Sequence, residues 1–197
     1  MKNWFFYILI FIPLCGWSQQ ITVGTCSVDG GTYTGEMFRG KPWGRGKAKY
    51  SNGDTYEGQF EKGKRQGKGI YTFSDGEKYD GQWFQDQQHG LGVYYFKNGN
   101  KYDGLWYKDY QQGHGIMYYS NGDKYDGNWL QDKRDGQGRY TFAEGAFYSG
   151  QWKNDKKEGQ GVFDWGDGSK YDGQFLNNMR SGRGTYFFHS GDKYIGE

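Results

Sequence analysis

"KYDGQW" (Lys78–Trp83) returns 23 residues later as "KYDGLW" (Lys101–Trp106), then as "KYDGNW" (Lys124–Trp129), and further on as "KYDGQF" (Lys170–Phe175). The Tyr-x-Gly within it starts at Tyr33 and recurs at Tyr56, Tyr79, Tyr102, Tyr125, Tyr148, Tyr171 and Tyr194, every step being 23 residues without insertion. A fixed period of this length marks a stacked array, in which each unit buries its apolar face only against its neighbours. The chain therefore reads as seven whole units and the start of an eighth.

With that Tyr counted as position 1, glycine stands at positions 3, 12, 14 and 21 of all seven units; in the second these are Gly58, Gly67, Gly69 and Gly76. Position 5 is Met37, Phe60, Trp83, Trp106, Trp129, Trp152 and Phe175, position 18 is aromatic from Tyr50 to Phe188, and position 16 is large except at Ala48. The special positions are odd in the first segment and even in the second, so both alternate with period two, the signature of a strand. A polar stretch such as "QDQQH" (Gln85–His89) joins the two segments, and "SDGEK" (Ser74–Lys78) follows the second. Its Asp-Gly core supplies the positive φ of a tight turn. Each unit is thus a β-hairpin, and consecutive hairpins form an all-β, elongated, single-sheet antiparallel solenoid. The expected register sets position 5 opposite 14, 3 opposite 16 and 1 opposite 18, so that rings lie over glycines and cover their bare backbone. The Lys and Asp of the hexapeptide, two residues apart, share the outer face and are expected to pair there.

Residues 1–18 have the form of an export signal: a basic Lys2, an apolar stretch of 12 residues from Trp4 to Cys15, and the small-x-small site Gly16-Trp17-Ser18. The apolar stretch is short of the about 20 residues a bilayer span needs. Cleavage would leave a secreted or periplasmic chain starting at Gln19, with 19–32 as an edge segment and 33–197 as the array. Lipidation at Cys15 is disfavoured by the bulky Leu14 before it. "DGGTY" (Asp29–Tyr33) mirrors the tail of a unit and is expected to start the sheet. Stopping at Glu197, four residues into a unit, fits either a last half-strand that closes the edge or, the preferred expectation, a longer chain.

Without Lys2 the chain carries 24 basic and 23 acidic residues, so no net charge draws it to nucleic acid. After cleavage Cys26 is the one cysteine left and has no internal disulfide partner; it is a spectator or a link between chains. Few aliphatics would suggest disorder, yet 19 Tyr, 8 Trp and 14 Phe require an aromatic core, and 36 Gly with three Ala exclude long helices.

"YEGQFEKGKRQGKGIYTFSDGEKY" (Tyr56–Tyr79) resembles throughout the MORN (membrane occupation and recognition nexus) repeat, and the resemblance extends from Tyr33 to Glu197. It implies a twisted groove of hairpins with rings on the concave side, used as a binding or scaffolding module, with phospholipid binding proposed for some members. Met37 and Ala48 depart from the pattern, as befits a capping unit, and Phe147 replaces the usual charged residue before Tyr148.

No enzyme is expected, because identical units seldom converge unlike groups. His89, His114 and His189 fall at different unit positions without a Cys/His cluster, so no metal or cofactor is expected. Asp80, Asp103 and Asp126 lie about 10 Å apart on alternate strands and cannot share a calcium ion. The Gly-x-Gly runs have no helix after them to bind phosphate. Two candidate surfaces remain. One is the aromatic groove with Trp83, Trp106, Trp129 and Trp152. The other is an apolar patch on the outer face: Phe84, Leu91, Val93, Tyr95, Leu105, Tyr107, Ile116 and Tyr118, continuing to Leu130. The expected partner is a protein or peptide. A glycan stacked on rings, or anionic lipid on the lysine ladder (Lys78, Lys101, Lys124, Lys170, Lys193), is the alternative, the latter weakened by the acid two residues after most of these lysines. The outer patch also allows self-association or packing against a further C-terminal segment.

Overall fold

A computed structural model describes residues 20–197; the expected signal at 1–18 lies outside the described residues. Strands β1 (Thr22–Val28), β2 (Gly31–Phe38), β3 (Lys41–Lys49), β4 (Thr55–Glu61), β5 (Lys64–Thr72), β6 (Lys78–Phe84), β7 (Gln87–Tyr95) and β8 (Lys101–Tyr107) form the first half. The second half is β9 (Tyr110–Tyr118), β10 (Lys124–Leu130), β11 (Lys133–Thr141), β12 (Phe147–Lys153), β13 (Lys156–Asp164), β14 (Lys170–Leu176), β15 (Met179–Phe187) and β16 (Lys193–Gly196). All pair in chain order in one open antiparallel sheet, and no helix occurs among the described residues. The edge segment contributes a strand of its own, β1, turned into β2 through Asp29-Gly30 with φ of 44° and 72°.

Two kinds of turn alternate. Inside a unit the hairpin closes on two residues with positive φ, such as Lys62-Gly63 (53°, 87°) and Gln85-Asp86 (49°, 73°), which matches the strand twist. Between units a longer loop is closed by bonds such as Phe73 N–H to Glu77 O at 2.9 Å, with Gly76 at φ 96°.

The alternation of faces follows the expectation, but the register does not. Position 3 lies opposite 14, position 1 opposite 16 and position 5 opposite 10, as in Gly81↔Gly92, Tyr79↔Tyr94 and Trp83↔Gln88. Two extra residues on the second strand, positions 12 and 13, make a bulge in each hairpin, and the position-12 glycine turns it at positive φ, 60° at Gly90. Because two residues are inserted rather than one, both flanks keep the same face. The side chain at position 4 can serve the bulge: Gln82 Oε1 accepts from Leu91 N–H at 3.2 Å and Gln59 Oε1 from Lys68 N–H at 2.9 Å.

Glycine therefore faces glycine. One glycine per strand, from Gly24 to Gly196, forms a row in register across all sixteen strands. Rings still cover it, but diagonally. The Tyr79 ring reaches so far over Gly92 that a Cβ there would stand 2.3 Å from its hydroxyl, and the hydroxyl donates to Gln82 O beside the bulge at 2.9 Å. The position-1 tyrosines from Tyr33 to Tyr148 are consequently among the most buried side chains. Direct ring-to-glycine pairs occur instead between units, as in Gly67↔Trp83 and Gly90↔Trp106.

Gly92→Ala is expected to destabilise the fold by about 1–3 kcal/mol, read from urea unfolding, because the Tyr79 ring has no room to retreat. Combined with Tyr79→Ala, it should cost clearly less than the sum of the single changes; strict additivity would show that the ring does not impose the glycine.

Candidate functional site

Two ladders of rings run along the aromatic face. The inner one alternates position 1 with position 5 edge to face without a break from Tyr33 to Tyr171; Tyr79 meets Trp83 at 5.1 Å and Trp106 at 5.3 Å. Each contact adds about 0.5–1.5 kcal/mol beyond area burial. Trp83, Trp106, Trp129 and Trp152, expected to line a groove, belong to this ladder and are only 4–6 % exposed. Their indole N–H groups donate at 3.1 Å to the carbonyls of Gly69, Gly92, Gly115 and Gly138 in the preceding hairpins. They are a floor, with no ring face free to stack on a sugar.

The outer ladder, built from positions 16 and 18, is half-buried and faces outward. It runs Tyr50, Tyr71, Phe73, Tyr94, Phe96 and resumes at Tyr119 and Tyr140. Met117 stands at position 16 between the two runs, where most units carry a ring. At this interruption lies a hollow of about 700 Å³ bounded by Phe73, Tyr94, Phe96, Met117 and Tyr119 on one side and by Gln88, Gln111, Asp109 and Asp132 on the other.

Both margins of this face are stitched between units. At the short-turn margin the position-8 acid accepts from the backbone N–H of position 10 one unit earlier, Gln88 N–H to Asp109 Oδ1 at 2.8 Å and Gln111 N–H to Asp132 Oδ1 at 2.7 Å. At the long-loop margin Asp54, 6 % exposed, accepts from Tyr71 Oη–H at 2.6 Å and Ser74 N–H at 2.8 Å. Asp123 repeats this with Tyr140 and Ala143, and Glu77 with Tyr94 and Lys97. Burial acts to raise the Asp54 and Asp123 carboxyls, but the bonds from tyrosine, backbone N–H and asparagine outweigh it and hold both below the usual range. Burial pushes the Tyr148 phenol up to about 12, so it stays neutral at physiological pH.

The outer face is less uniform than expected. Leu91 lies opposite Leu105, both exposed, with Phe84 and Tyr107 flanking His89 at 5.6 and 5.2 Å. Val93 and Ile116, however, are half-buried and alternate across the strands with Asp80, Asp103 and Asp126. Tyr95 and Tyr118 each carry a lysine over the ring, Lys78 and Lys101, both at 4.3 Å. The patch is therefore split by charge. The same lysines were expected to pair with the aspartate two residues on, yet the salt bridge of that kind is Lys124–Asp126 at 3.0 Å; Lys170 instead sits over Phe187 at 4.7 Å. The ring is each lysine's direct cross-strand partner, and a cation over a ring contributes about 0.5–1 kcal/mol, at least as much as an exposed ion pair, so the ring contact replaces it. Tyr110, opposite Tyr107 and exposed, escaped the sequence reading because it sits at a position that is polar or charged in most other units. Among the described residues no three His, Cys, Asp or Glu side chains converge to hold a metal ion.

The MORN repeat family model matches seven consecutive segments: 33–55, 56–78, 79–101, 102–124, 125–147, 148–170 and 171–193. The chain belongs to the MORN-repeat family. No curated protein matches it. Among solved structures, this MORN array is similar to the TCP10 domain of Danio rerio CPAP in complex with a peptide of STIL, at 13% identity and a TM-score of 0.50, over 89% of this chain and 75% of that one. It is similar also to the SAS-4 (dCPAP) TCP domain of Drosophila melanogaster in complex with a proline-rich motif of Ana2, at 13% identity and a TM-score of 0.49, over 100% and 98%. At such identity the likeness to the Danio rerio domain is one of fold.

The long-loop stitches give a pH dependence of definite sign. Carboxyls held low in the folded state contribute stability that is complete above their unfolded value near about 4 and is lost as pH falls through the folded values. The melting temperature is expected to drop steeply below about pH 4, and Asp54→Asn with Asp123→Asn should flatten that drop; an unchanged acid limb would remove these residues from the account.

Proposed function

We propose that this MORN protein is an exported, non-catalytic scaffold that holds an extended segment of another protein in the aromatic-face hollow of its third and fourth units. The hollow supports this reading most directly: it is where the outer ladder breaks at Met117, and the neighbouring rings of Phe96 and Tyr119 remain half-exposed. Methionine is an adaptable contact and suits a surface that must accept a side chain. That a CPAP TCP10 domain of similar fold is found with a peptide adds support for peptide as the partner class. The glycan reading loses its stacking faces to the floor, and the lipid reading loses part of its lysine ladder to rings and to Asp126.

Random peptides displayed on phage and panned on the full chain should yield binders whose affinity falls at least about tenfold with Phe96→Ala and Tyr119→Ala, each contact being worth over about 1 kcal/mol. Binders that ignore both changes but are lost with Val93→Lys and Ile116→Lys would move the site to the outer face.

Export is part of the same proposal, and it rests on the signal at 1–18. The protein recovered outside the cytoplasm should begin at Gln19 by N-terminal sequencing. A chain retaining Met1 and confined to the cytoplasm would reject it.

A further inference from the structure

At the hollow, one repeated element of the array changes. In the second unit Arg65 at position 10 leans toward the next hairpin, its guanidinium over Trp83 at 4.4 Å and Tyr71 at 4.8 Å, its Nε 3.3 Å from Asp86 Oδ1 and its Nη2 2.8 Å from Asp86 O. The fifth unit repeats this: Arg134 lies over Trp152 at 4.4 Å and Tyr140 at 5.6 Å, with Nε 3.1 Å from Asp155 Oδ1 and Nη2 3.1 Å from Asp155 O. The array has thus built the same arginine slot twice, from a tryptophan floor, a position-16 wall and a position-8 carboxylate.

Between them the slot appears twice more with its walls in place and the arginine replaced by a shorter, buried glutamine, 7 % exposed at Gln88 and 5 % at Gln111. Gln88 stands with Tyr94, Trp106 and Asp109, and Gln111 with Met117, Trp129 and Asp132, all lining the hollow. Asp109 and Asp132 still accept the backbone N–H of position 10, but among the described residues no Lys, Arg or His pairs with either. Both are exposed, whereas Asp86 and Asp155, covered by their arginines, are half-buried. A ring-walled hollow with two uncompensated carboxylates has a net negative charge, and the flanking slots exhibit the side chain that satisfies it.

Spacing then constrains the partner. Equivalent points on successive units are two strands apart, about 9.5 Å. A polyproline-II segment rises about 3.1 Å per residue and returns to the same face every third residue, about 9.3 Å on; a β-strand alternates faces and would turn the third side chain away. We infer that the hollow takes a polyproline-II segment of a partner protein with arginine or lysine at i and i+3, one cation against each of the exposed carboxylates Asp109 and Asp132, above the buried Gln88 and Gln111. This rests on the peptide-binding reading and names its ligand. Arg65 and Arg134 bound the pair, so a cation at i−3 or i+6 meets a like charge. Two basic residues in register bind better than four.

Fluorescence anisotropy of the full chain with labelled Pro-Pro-Pro-Arg-Pro-Pro-Arg-Pro-Pro-Pro tests it. The affinity should exceed at least about tenfold that of a peptide with the arginines four apart and of one with glutamates in their place, since two charge-assisted contacts are at stake. Asp109→Asn with Asp132→Asn should abolish the preference. Gln88→Arg with Gln111→Arg copies the flanking slots, should leave the circular-dichroism spectrum and melting temperature close to the parent's, and should prevent binding. Equal affinity for the two arginine spacings, or binding that survives Gln88→Arg with Gln111→Arg, overturns the inference. Phage-selected peptides that depend on Phe96 and Tyr119 yet carry no basic pair overturn the cation slots alone. Absence of any peptide dependent on those rings overturns the peptide-binding reading as well.

Discussion

In each unit the position-1 tyrosine lies along its own strand and ends over the facing glycines of positions 3 and 14, so close that a Cβ at Gly69, Gly92 or Gly115 would come within 2.2–2.3 Å of its hydroxyl. The contact works in both directions. Glycine alone leaves room for the ring, and the ring supplies the burial that glycine lacks. An aromatic side chain hides roughly 150–250 Å² and each Å² contributes about 25 cal/mol, so each tyrosine brings several kcal/mol to a sheet with almost no aliphatic interior. Its hydroxyl then finds a carbonyl beside the bulge, which removes the cost of burying it. Ring, glycine pair and bulge are one device, repeated.

Much of this was legible in the spacing. A 23-residue period without insertion gives the hairpin, odd-then-even positions give the faces, and the invariant glycines beside rings give the core. The register was not legible, and the reason is parity. A one-residue bulge would have thrown Trp83 and Gln88 onto opposite faces and shown itself in the pattern; two residues, Gly90 and Leu91, leave the alternation intact. What marks the bulge is a glycine at position 12 that needs positive φ, a demand that period-two alternation does not display.

The candidate site was hidden for a different reason. Reading each unit against the consensus draws attention to what recurs, and Trp83, Trp106, Trp129 and Trp152 recur because they are floor. The candidate site sits where the array departs from itself: Gln88 and Gln111 at a position that is Arg, Lys or Pro elsewhere, and Met117 where most units place a ring. Each departure alone looks like drift on a polar or apolar position. Only the pairing of strands shows that Gln88, Tyr94 and Asp109, far apart within and between units, bound one space.

The stitches at the two margins show what the array holds constant so that its middle can vary. Where position 16 is Tyr71, Tyr94 or Tyr140, position 22 of the preceding unit is Asp54, Glu77 or Asp123 and accepts its hydroxyl; where position 16 is Met117 or Phe163, position 22 is Asn100 or Ala146. A buried carboxylate without the hydroxyl would be costly, so the acid goes when the phenol goes. Asn100 still accepts Ser120 N–H at 2.9 Å and keeps that loop in place. At the opposite margin Asp109 and Asp132 cap the backbone of Gln88 and Gln111, a duty that Asn178 performs without charge for Lys157 N–H at 2.8 Å, and they remain carboxylates although the arginine above them is gone. Two negative charges thereby stand on an exposed aromatic face without the cation that satisfies them in the flanking units, and loss of one side chain per unit is enough to open a self-satisfied seam.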